Sequence, residues 1–248
     1  MTLKNKNVLI TGARGGIGRA LVEAFSFAGA NVFANLRKPD DDFNNFAKEI
    51  SSKTSAEIVP VYFDMQDVQN MKNAIKSTFF DSKVSVDILV NNAGVAHGGF
   101  FQMTPVSKIK EVFDINLFAQ MELTQFVLKL MTRQKSGVII NMGSILGLDI
   151  TKGSSAYGVS KAALMAWTKT LASEVGQYGI RVNAIAPGLV DTKMGALMDE
   201  KVQKQIVDSC AMQRLALPNE IANTAVYLAS DKASFINGQI IRVDGGIA

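Results

Sequence analysis

A tyrosine and a lysine lie four residues apart in the stretch SSAYGVSKAAL, residues 154–164. On a helix, this spacing puts Tyr157 and Lys161 on one face, where both can address one site. A positive charge about 4 Å from a phenol contributes roughly 4 kcal/mol at an effective dielectric constant of about 20, or about three pKa units. The pair therefore predicts a tyrosine whose pKa is brought towards neutrality, so that it can act as a general acid and, in the reverse direction, as a general base.

A glycine-rich turn follows the first apolar run of the chain. The segment VLITGARGGIG places Gly12, Gly16 and Gly18 between a predicted strand and a predicted helix. Free backbone N–H groups and the helix dipole at such a turn favour a phosphate, and glycines let the backbone approach it closely. Because the spacing differs from the common G-x-G-x-x-G pattern, a turn that only reverses the chain remains the alternative.

The end of the second predicted strand, ANLRK, indicates which dinucleotide would bind. NAD sites usually carry a carboxylate there for the ribose 2′-OH, whereas this chain has Leu36 and Arg37. Arg37, with Arg14 as a second candidate, can bind a 2′-phosphate, which predicts NADP(H). The alternative for Arg37 is a solvated surface charge. Asp64, at the end of the third strand, either accepts from the adenine amino group or caps a turn.

Short apolar runs alternate with longer helical patterns along the whole chain. The predicted strands are 7–10, 31–36, 57–64, 86–94, 136–144, 180–188 and 238–246, and the predicted helices include 105–134, broken in its first part, and 156–176. Apolar runs without alternation indicate strands with both faces buried. We therefore expect a single α/β domain over residues 1–248, a Rossmann-type, doubly wound fold with a seven-stranded parallel sheet and helices on both faces.

Composition argues against several classes of function. The 26 basic and 22 acidic residues are mixed without a basic run, so nucleic acid is not an expected partner. A single cysteine, Cys210, and a single histidine, His97, argue against a disulfide and a zinc site. No apolar run approaches the ~20 residues that span a bilayer, and the N-terminus lacks a signal-peptide pattern. We expect a cytoplasmic protein without a metal or membrane contact.

Five motifs together resemble the short-chain dehydrogenase/reductase family over essentially the whole chain. They are TGARGGIG, NNAG (91–94), Ser144, YGVSK (157–161) and PGLVDT (187–192), and NGQIIRVDGG near the C-terminus is similar to the subgroup containing 3-oxoacyl-acyl-carrier-protein reductases. The resemblance implies a catalytic tetrad of Asn116, Ser144, Tyr157 and Lys161. Ser144 would hydrogen-bond the substrate carbonyl, and Asn116 would hold a water that links Lys161 to solvent. Lys161 would hold the nicotinamide ribose and, together with the positive charge of an oxidised nicotinamide, would bring the pKa of Tyr157 towards neutrality, so that Tyr157 can protonate a ketone.

The same resemblance implies a set of contacts with NADP(H). These contacts involve Gly12, Arg14, Gly16, Ile17, Gly18, Arg37, Asp64, Met65, Asn91, Ala93, Tyr157, Lys161, Pro187, Gly188, Val190 and Thr192. Asn91 and Ala93 would lie on the adenosine side and also brace the central sheet. Thr192 would meet the nicotinamide amide.

The implied reaction is NADPH-dependent reduction of a carbonyl, with a 3-oxoacyl thioester as the expected substrate. An NADP-dependent alcohol, sugar or small-ketone dehydrogenase is the alternative, and a non-catalytic dinucleotide-binding regulator is a remote one. A hydrolase would use Ser144 with His97 as its base. An acidic acyl carrier protein needs basic residues at the cleft rim; Arg133 and Lys135 are candidates, but Tyr178 lies where carrier-using relatives tend to have a basic residue.

Two further expectations concern assembly and the cleft. Family members of this kind are usually homotetramers, joined by the helices that follow the fourth and fifth strands, and we expect a homotetramer with a dimer as the alternative. Apolar side chains at 105–131 and 156–176 suit this role, with Phe113, Phe118, Phe126, Leu164 and Trp167 as candidates. The polar, methionine-rich segment 189–213 is expected to be a substrate flap lined by Met194, Met198 and Met212.

Overall fold

One parallel sheet organises the chain. The computed structural model describes residues 2–149, 151–197 and 200–247. Its seven strands have the order β3-β2-β1-β4-β5-β6-β7. They are β1 (Asn7–Ile10), β2 (Asn31–Leu36), β3 (Ile58–Tyr62), β4 (Ile88–Asn91), β5 (Gly137–Met142), β6 (Ile180–Pro187) and β7 (Ile240–Val243). The predicted fold class is confirmed, although several predicted runs extend beyond the strands into the loops that leave the sheet.

Helices cover both faces of the sheet. The described α-helices are α1 (Gly16–Phe27), α2 (Asp41–Thr54), α3 (Val68–Ile75), α4 (Val106–Phe113), α5 (Ala119–Gln134), α6 (Tyr157–Val175), α7 (Glu200–Ser209) and α8 (Pro218–Ala229). Apolar side chains of α1, α2 and α8 form the core on one face, and those of α3, α5 and α6 form it on the other. None of the helices in the described part of the chain has the length and hydropathy of a membrane span.

The helix starts differ in how their first N–H groups are used. The Asp40 carboxylate accepts from Phe43 N at the start of α2, and Asp67 accepts from Asn70 N at the start of α3. Such caps satisfy backbone donors that the helix itself cannot satisfy. The start of α1, at Gly15, has no side-chain cap. The first turn of α1 therefore keeps donors available for a ligand beside the glycine turn.

The predicted break in 105–134 is a π-helical turn. It covers Asp114–Phe118 and joins α4 to α5 without a loop between them. A π turn inserts extra backbone into a helix and frequently lies at a functional site. Asn116, the first member of the predicted tetrad along the chain, lies in this turn.

The predicted interface side chains differ in exposure. Phe118 is 51% exposed, whereas Phe126 and Trp167 are half-buried against the core. Leu164 is fully buried within its own chain, so its assignment to a subunit interface is wrong. It lies three residues after Lys161 and four before Thr168, which are also buried, because this face of α6 packs against the sheet.

The predicted flap, residues 189–213, leaves the sheet after β6. Its ends are held by isolated bridges, Val190 with Ala216 and Cys210 with Ile247. Met194 and Met212 are exposed, and Met198 lies outside the described residues. The movement of this segment and its part in substrate binding stay predictions.

Candidate active site

The predicted tetrad comes together at the carboxyl ends of β4 and β5. Tyr157 begins α6 and Lys161 lies one turn later, with its Nζ atom 5.9 Å from the centre of the Tyr157 ring. Ser144 follows β5, and its hydroxyl neighbours the Tyr157 hydroxyl. A Cβ atom at Gly94 would lie 3.4 Å from Lys161 Nζ and 3.0 Å from Asn116 Oδ1. The four side chains therefore surround one point beside the loop after β4.

Lys161 is buried and hydrogen-bonded. Its Nζ atom donates to the Met142 carbonyl oxygen at the end of β5, at 2.7 Å. Burial disfavours the charged form and lowers the pKa of Lys161 to about 8. The ammonium is thus still the main form at neutral pH, but its proton is held less tightly than that of a solvated lysine.

Tyr157 behaves differently from the expectation based on Lys161 alone. Burial raises the pKa of Tyr157, and the neighbouring Ser144 hydroxyl opposes this effect only in part. Lys161 Nζ lies 5.9 Å from the centre of the Tyr157 ring, and its charge is not among the causes that shift the pKa of Tyr157. The lowering expected from Lys161 is therefore absent in the chain alone, and would depend on the other charge invoked with it, that of an oxidised nicotinamide.

Asn116 holds the loop after β4 against α6. Its Oδ1 atom accepts from Val95 N at 2.8 Å, and its Nδ2 atom donates to Val95 O at 2.9 Å and to Ser160 Oγ at 3.1 Å. Ser160 Oγ in turn donates to the Tyr157 carbonyl oxygen at 2.7 Å. Both amide hydrogens are used, so the predicted water would have to donate to Oδ1 or to a backbone carbonyl of the π turn.

Ser144 and His97 do not form the pair that a hydrolase requires. Ser144 Oγ accepts from Leu146 N at 3.2 Å, which orients the hydroxyl at the start of a short 3₁₀ turn. The neighbouring reactive side chain is Tyr157. His97 Nε2 is buried and has no hydrogen-bond partner within the described residues. The same described residues contain no group of three His, Cys, Asp or Glu side chains suited to a metal.

The glycine turn is crowded in the way that a dinucleotide site requires. Gly12 has φ +65°, and a Cβ atom there would lie 2.9 Å from Ala93 Cα. A Cβ atom at Gly18 would collide with the Gly12 carbonyl oxygen, and one at Gly16 would lie 2.6 Å from Thr192 Cγ2. These close approaches bring the turn against the ends of β4 and β6. Together with the uncapped start of α1, they fit the phosphates of a dinucleotide better than a simple chain reversal.

The residues expected at the adenosine end have different surroundings. Arg37 is exposed after β2, whereas Arg14 forms an ion pair with Asp40. Asp64 Oδ1 accepts from Gln66 N at 3.0 Å and so caps a turn, its alternative role.

Two apolar residues of the predicted contact set belong to the core. The Met65 side chain is buried in the core on the face of α3, α5 and α6, and Ile17 packs against the core on the opposite face. The Met65 side chain is enclosed by protein, so only its backbone groups are free for the predicted nucleotide contact. The Ile17 side chain is only partly buried and keeps some exposed surface.

Asn91 belongs to a buried polar chain that the sequence did not predict. Its Nδ2 atom donates to Thr124 Oγ1 at 3.0 Å and to Asn141 Oδ1 at 2.8 Å, and Asn141 Nδ2 donates to Thr168 Oγ1 at 2.9 Å. Asn91 and Asn141 are register partners in β4 and β5. The Asn91 side chain therefore braces the central sheet, which was one of its two expected roles; the adenosine contact stays a prediction. Asparagines that end adjacent apolar runs were the available sequence signal.

The PGLVDT segment, residues 187–192, leads from the end of β6 to a contact with the glycine turn. Pro187 ends β6, and a Cβ atom at Gly188 would lie 2.9 Å from Asp244 Cα. Val190 is buried. Thr192 then lies against Gly16, with its Oγ1 atom accepting from Gly195 N at 3.1 Å. The first part of the predicted flap is thus positioned beside the first turn of α1.

Comparison with known proteins agrees with this geometry. The family model described as enoyl-(acyl carrier protein) reductase matches residues 12–248. The chain belongs to the short-chain dehydrogenase/reductase family, whose members are oxidoreductases acting on CH–OH or carbonyl groups. Membership of an oxidoreductase family argues against the two other classes considered from the sequence, a hydrolase and a non-catalytic regulator.

Three relatives illustrate the range of the family. The 3-oxoacyl-[acyl-carrier-protein] reductase of Thermotoga maritima is 32% identical over 248 residues, covering 100% of this chain and 99% of the relative. A structure described as an NAD(P) dependent gluconate 5-dehydrogenase from Beutenbergia cavernae, with bound NADP, is 33% identical with a TM-score of 0.92, covering 99% and 97% of the two chains. A 7α-hydroxysteroid dehydrogenase complexed with NADH is 30% identical with a TM-score of 0.92, covering 100% and 96%.

Proposed function

We propose that this chain is an NADPH-dependent ketoreductase that reduces the 3-oxo group of an acyl thioester. The observation that carries the proposal is the cluster of Ser144, Tyr157 and buried Lys161 beside an uncapped helix start and a glycine turn. The full-length similarity to a 3-oxoacyl-[acyl-carrier-protein] reductase supports the choice of substrate.

The side chains of the tetrad have separate tasks in this reaction. The chemistry that a bound nicotinamide would supply is hydride transfer to or from the carbonyl carbon. The Ser144 hydroxyl donates a hydrogen bond to the substrate oxygen, where negative charge develops. Tyr157 donates its proton to the same oxygen. The Lys161 ammonium stabilises the phenolate that remains, and it holds the nicotinamide ribose.

Asn116 keeps these groups aligned through Ser160, which bonds the Tyr157 carbonyl. A water at Asn116 Oδ1 or at the π turn returns the proton from solvent to Lys161 and Tyr157.

The NADPH preference rests on the end of β2. The Leu36 side chain is buried and has no acceptor for a ribose 2′-OH, so NADH gains little there. Arg37 is exposed, and its planar guanidinium can bind a 2′-phosphate. A charge-assisted contact contributes about 1.5–3 kcal/mol, which is roughly tenfold to a hundredfold in affinity. We expect NADPH to be preferred by a factor of this size, and Arg37→Ala to remove most of the preference.

Apolar side chains near the site favour an apolar substrate over a sugar acid. Phe100, Phe101 and Met103 are exposed on the loop after β4. This loop lies beside the one that leads into α6, since Gly99 N donates to Gly153 O at 2.9 Å. Exposed apolar groups of this kind commonly mark a binding surface. They suit an acyl chain, and they suit a steroid as the second candidate.

A panel of carbonyl substrates with NADPH tests the proposal. It should include acetoacetyl-CoA, the same acyl group on acyl carrier protein, a 7-oxo bile acid and 5-ketogluconate, with nicotinamide absorbance as the readout. The highest kcat/KM is expected for an acetoacetyl thioester. A higher kcat/KM for the bile acid or the sugar acid would refute the substrate assignment, and absence of turnover with every ketone would refute the reaction.

Comparison of the two thioesters tests the partner. Tyr178 is exposed and uncharged, so the predicted carrier contact rests on Arg133 and Lys135 alone. Both residues precede β5, whereas Ser144 follows it, so within one chain they lie at the edge of the sheet opposite Ser144. The prediction that they line the rim of this chain's own cleft is therefore wrong. A large advantage of acyl carrier protein over coenzyme A, lost in Arg133→Ala, would support a contact of the carrier with Arg133. The cytoplasmic location stays a prediction.

A further inference from the structure

An acidic residue pairs with one of the two arginines expected to bind the 2′-phosphate. Arg14 belongs to the glycine turn, and its Nε atom forms an ion pair with the Asp40 carboxylate. Arg37 follows β2 and is exposed. The turn and the strand end are joined directly, because Ala13 N donates to Asn35 O at 3.2 Å. Arg14, Arg37 and Asp40 therefore lie around one end of the dinucleotide site.

The Asp40 carboxylate has two partners at once. Its Oδ1 atom accepts a hydrogen bond from Phe43 N at 2.8 Å, and its Oδ2 atom forms the ion pair with Arg14 Nε. The backbone N–H of Phe43 is the main cause of a lowered pKa for Asp40, and Arg14 adds to the effect. The carboxylate is therefore ionised at neutral pH, and it is itself mostly covered while Arg14 is exposed.

A second pair next to it has the same chemistry at a different position. Arg19 of α1 forms an ion pair with Asp42, in the first turn of α2. The Arg19 guanidinium also lies 5.0 Å from the centre of the Phe46 ring. This arginine is directed at α2 rather than at the glycine turn. Asp42 thus provides a carboxylate on the same helix start that does not engage Arg14.

Resting on the proposed function, we infer that Asp40 limits the preference for NADPH by holding Arg14 away from the 2′-phosphate. Arg37 then supplies most of the attraction for the phosphate. Arg14 can bind the phosphate only if it leaves Asp40. The Asp40 carboxylate and the 2′-phosphate therefore compete for the Arg14 guanidinium. NADH carries no 2′-phosphate, so its binding does not depend on this competition. Asp40 is therefore a specificity-determining residue that weakens selectivity.

The substitution Asp40→Asn removes the negative charge of Asp40 but keeps its role as the cap of α2. The asparagine amide oxygen can still cap α2 by accepting from Phe43 N, while the charge and the hold on Arg14 are lost. The expected effect is NADPH binding tighter by about twofold to fivefold, the range that exposed ion pairs contribute to an equilibrium constant. NADH affinity should stay unchanged. Asp42→Asn removes the same charge from the same helix turn and should leave the ratio of the two affinities as in the unsubstituted protein.

The experiment is a direct binding titration of the full chain with NADPH and with NADH, followed by nicotinamide fluorescence without substrate. Arg14→Gln is combined with Asp40→Asn to complete a double-mutant cycle. The inference predicts that Asp40→Asn raises the NADPH-to-NADH affinity ratio and that Arg14→Gln cancels this gain.

Three outcomes would overturn the inference. An unchanged ratio in Asp40→Asn, with both nucleotides still bound, would overturn it and leave the proposed function intact. An equal gain in the Arg14→Gln background would show direct repulsion of the phosphate and refute the role of Arg14. Failure of the unsubstituted protein to bind either nucleotide would overturn the proposed function together with this inference.

Discussion

Replacement of Lys161 by methionine removes a buried ammonium but keeps an unbranched side chain. Burial lowers the pKa of Lys161 from 10.5 to about 8 in the folded chain. Between these pH values the unfolded chain holds the proton and the folded chain has released it. The unfolding free energy of the unsubstituted protein therefore rises with pH across this window, and below about pH 8 the folded state carries the full cost of the buried charge.

The size of the effect follows from the two pKa values. The difference between 10.5 and about 8, at about 1.36 kcal/mol for each pKa unit, amounts to roughly 3 kcal/mol. Lys161→Met lacks this pH dependence. It also loses the hydrogen bond from Nζ to the Met142 carbonyl oxygen, which costs about 1–3 kcal/mol at every pH. The stability of the variant relative to the unsubstituted protein should therefore fall by roughly 3 kcal/mol as the pH rises from about 7 to 10.5.

Urea unfolding of both proteins at several pH values measures this difference, because the other titrating groups cancel between them. Lys169→Met, on the exposed side of the same helix, controls for the loss of one positive charge. A stability difference between Lys161→Met and the unsubstituted protein that does not change with pH would refute the burial of a charged Lys161. The variant should also lose turnover at every pH, whatever its stability.

Three further predictions concern the proposed proton donor, the glycine turn and the assembly. Tyr157→Phe should lower turnover by about 10²–10⁴-fold but leave NADPH affinity, measured by fluorescence titration, nearly unchanged; a variant with most of the original rate would contradict the assigned proton donor. Gly18→Ala should lower the unfolding free energy by about 1–3 kcal/mol, since its Cβ atom meets a backbone oxygen, whereas Gly15→Ala, with its nearest such atom at 3.7 Å, should not. We expect a homotetramer by light scattering that Phe118→Lys dissociates and that Phe27→Lys, equally exposed but on α1, does not; a monomeric unsubstituted protein would exclude this assembly.

The architecture is largely predictable because buried parallel strands have a distinctive sequence pattern. Continuous apolar runs separated by helical patterns predict the seven strands and both helical layers. The strand ends are less predictable. In the run 86–94, small and polar residues continue past Asn91, but β4 ends there. Beyond it the Asn92 side chain donates to Thr11 O at 2.9 Å, and Asn92 N and Ala93 N donate to Thr11 Oγ1, in the turn after β1. A contact of this kind, between residues distant in sequence, leaves no local signal.

The catalytic side chains are predictable from motifs, but their electrostatics are not. Spacing alone places Tyr157 and Lys161 on one helix face. The directions of their pKa changes depend on burial by neighbouring elements, which spacing does not reveal. The same holds for the Arg14 ion pair, because its partner Asp40 is recognisable in the sequence only as a helix cap.

Three departures from regular packing lie together at one edge of the sheet, and this placement has a physical meaning. A left-handed Gly12, a π turn at Asn116 and a buried Lys161 each lower stability relative to a regular, apolar alternative. Hydrogen bonds from other elements hold two of them. Lys161 Nζ donates to the Met142 carbonyl oxygen at the end of β5, and Asn116 bonds to Val95 in the loop after β4 and to Ser160 of α6. A fold that needed only stability would have no reason to place all three together. Their common position, where a dinucleotide and a carbonyl substrate would meet, is explained by the chemistry that a buried proton donor and a close phosphate contact require.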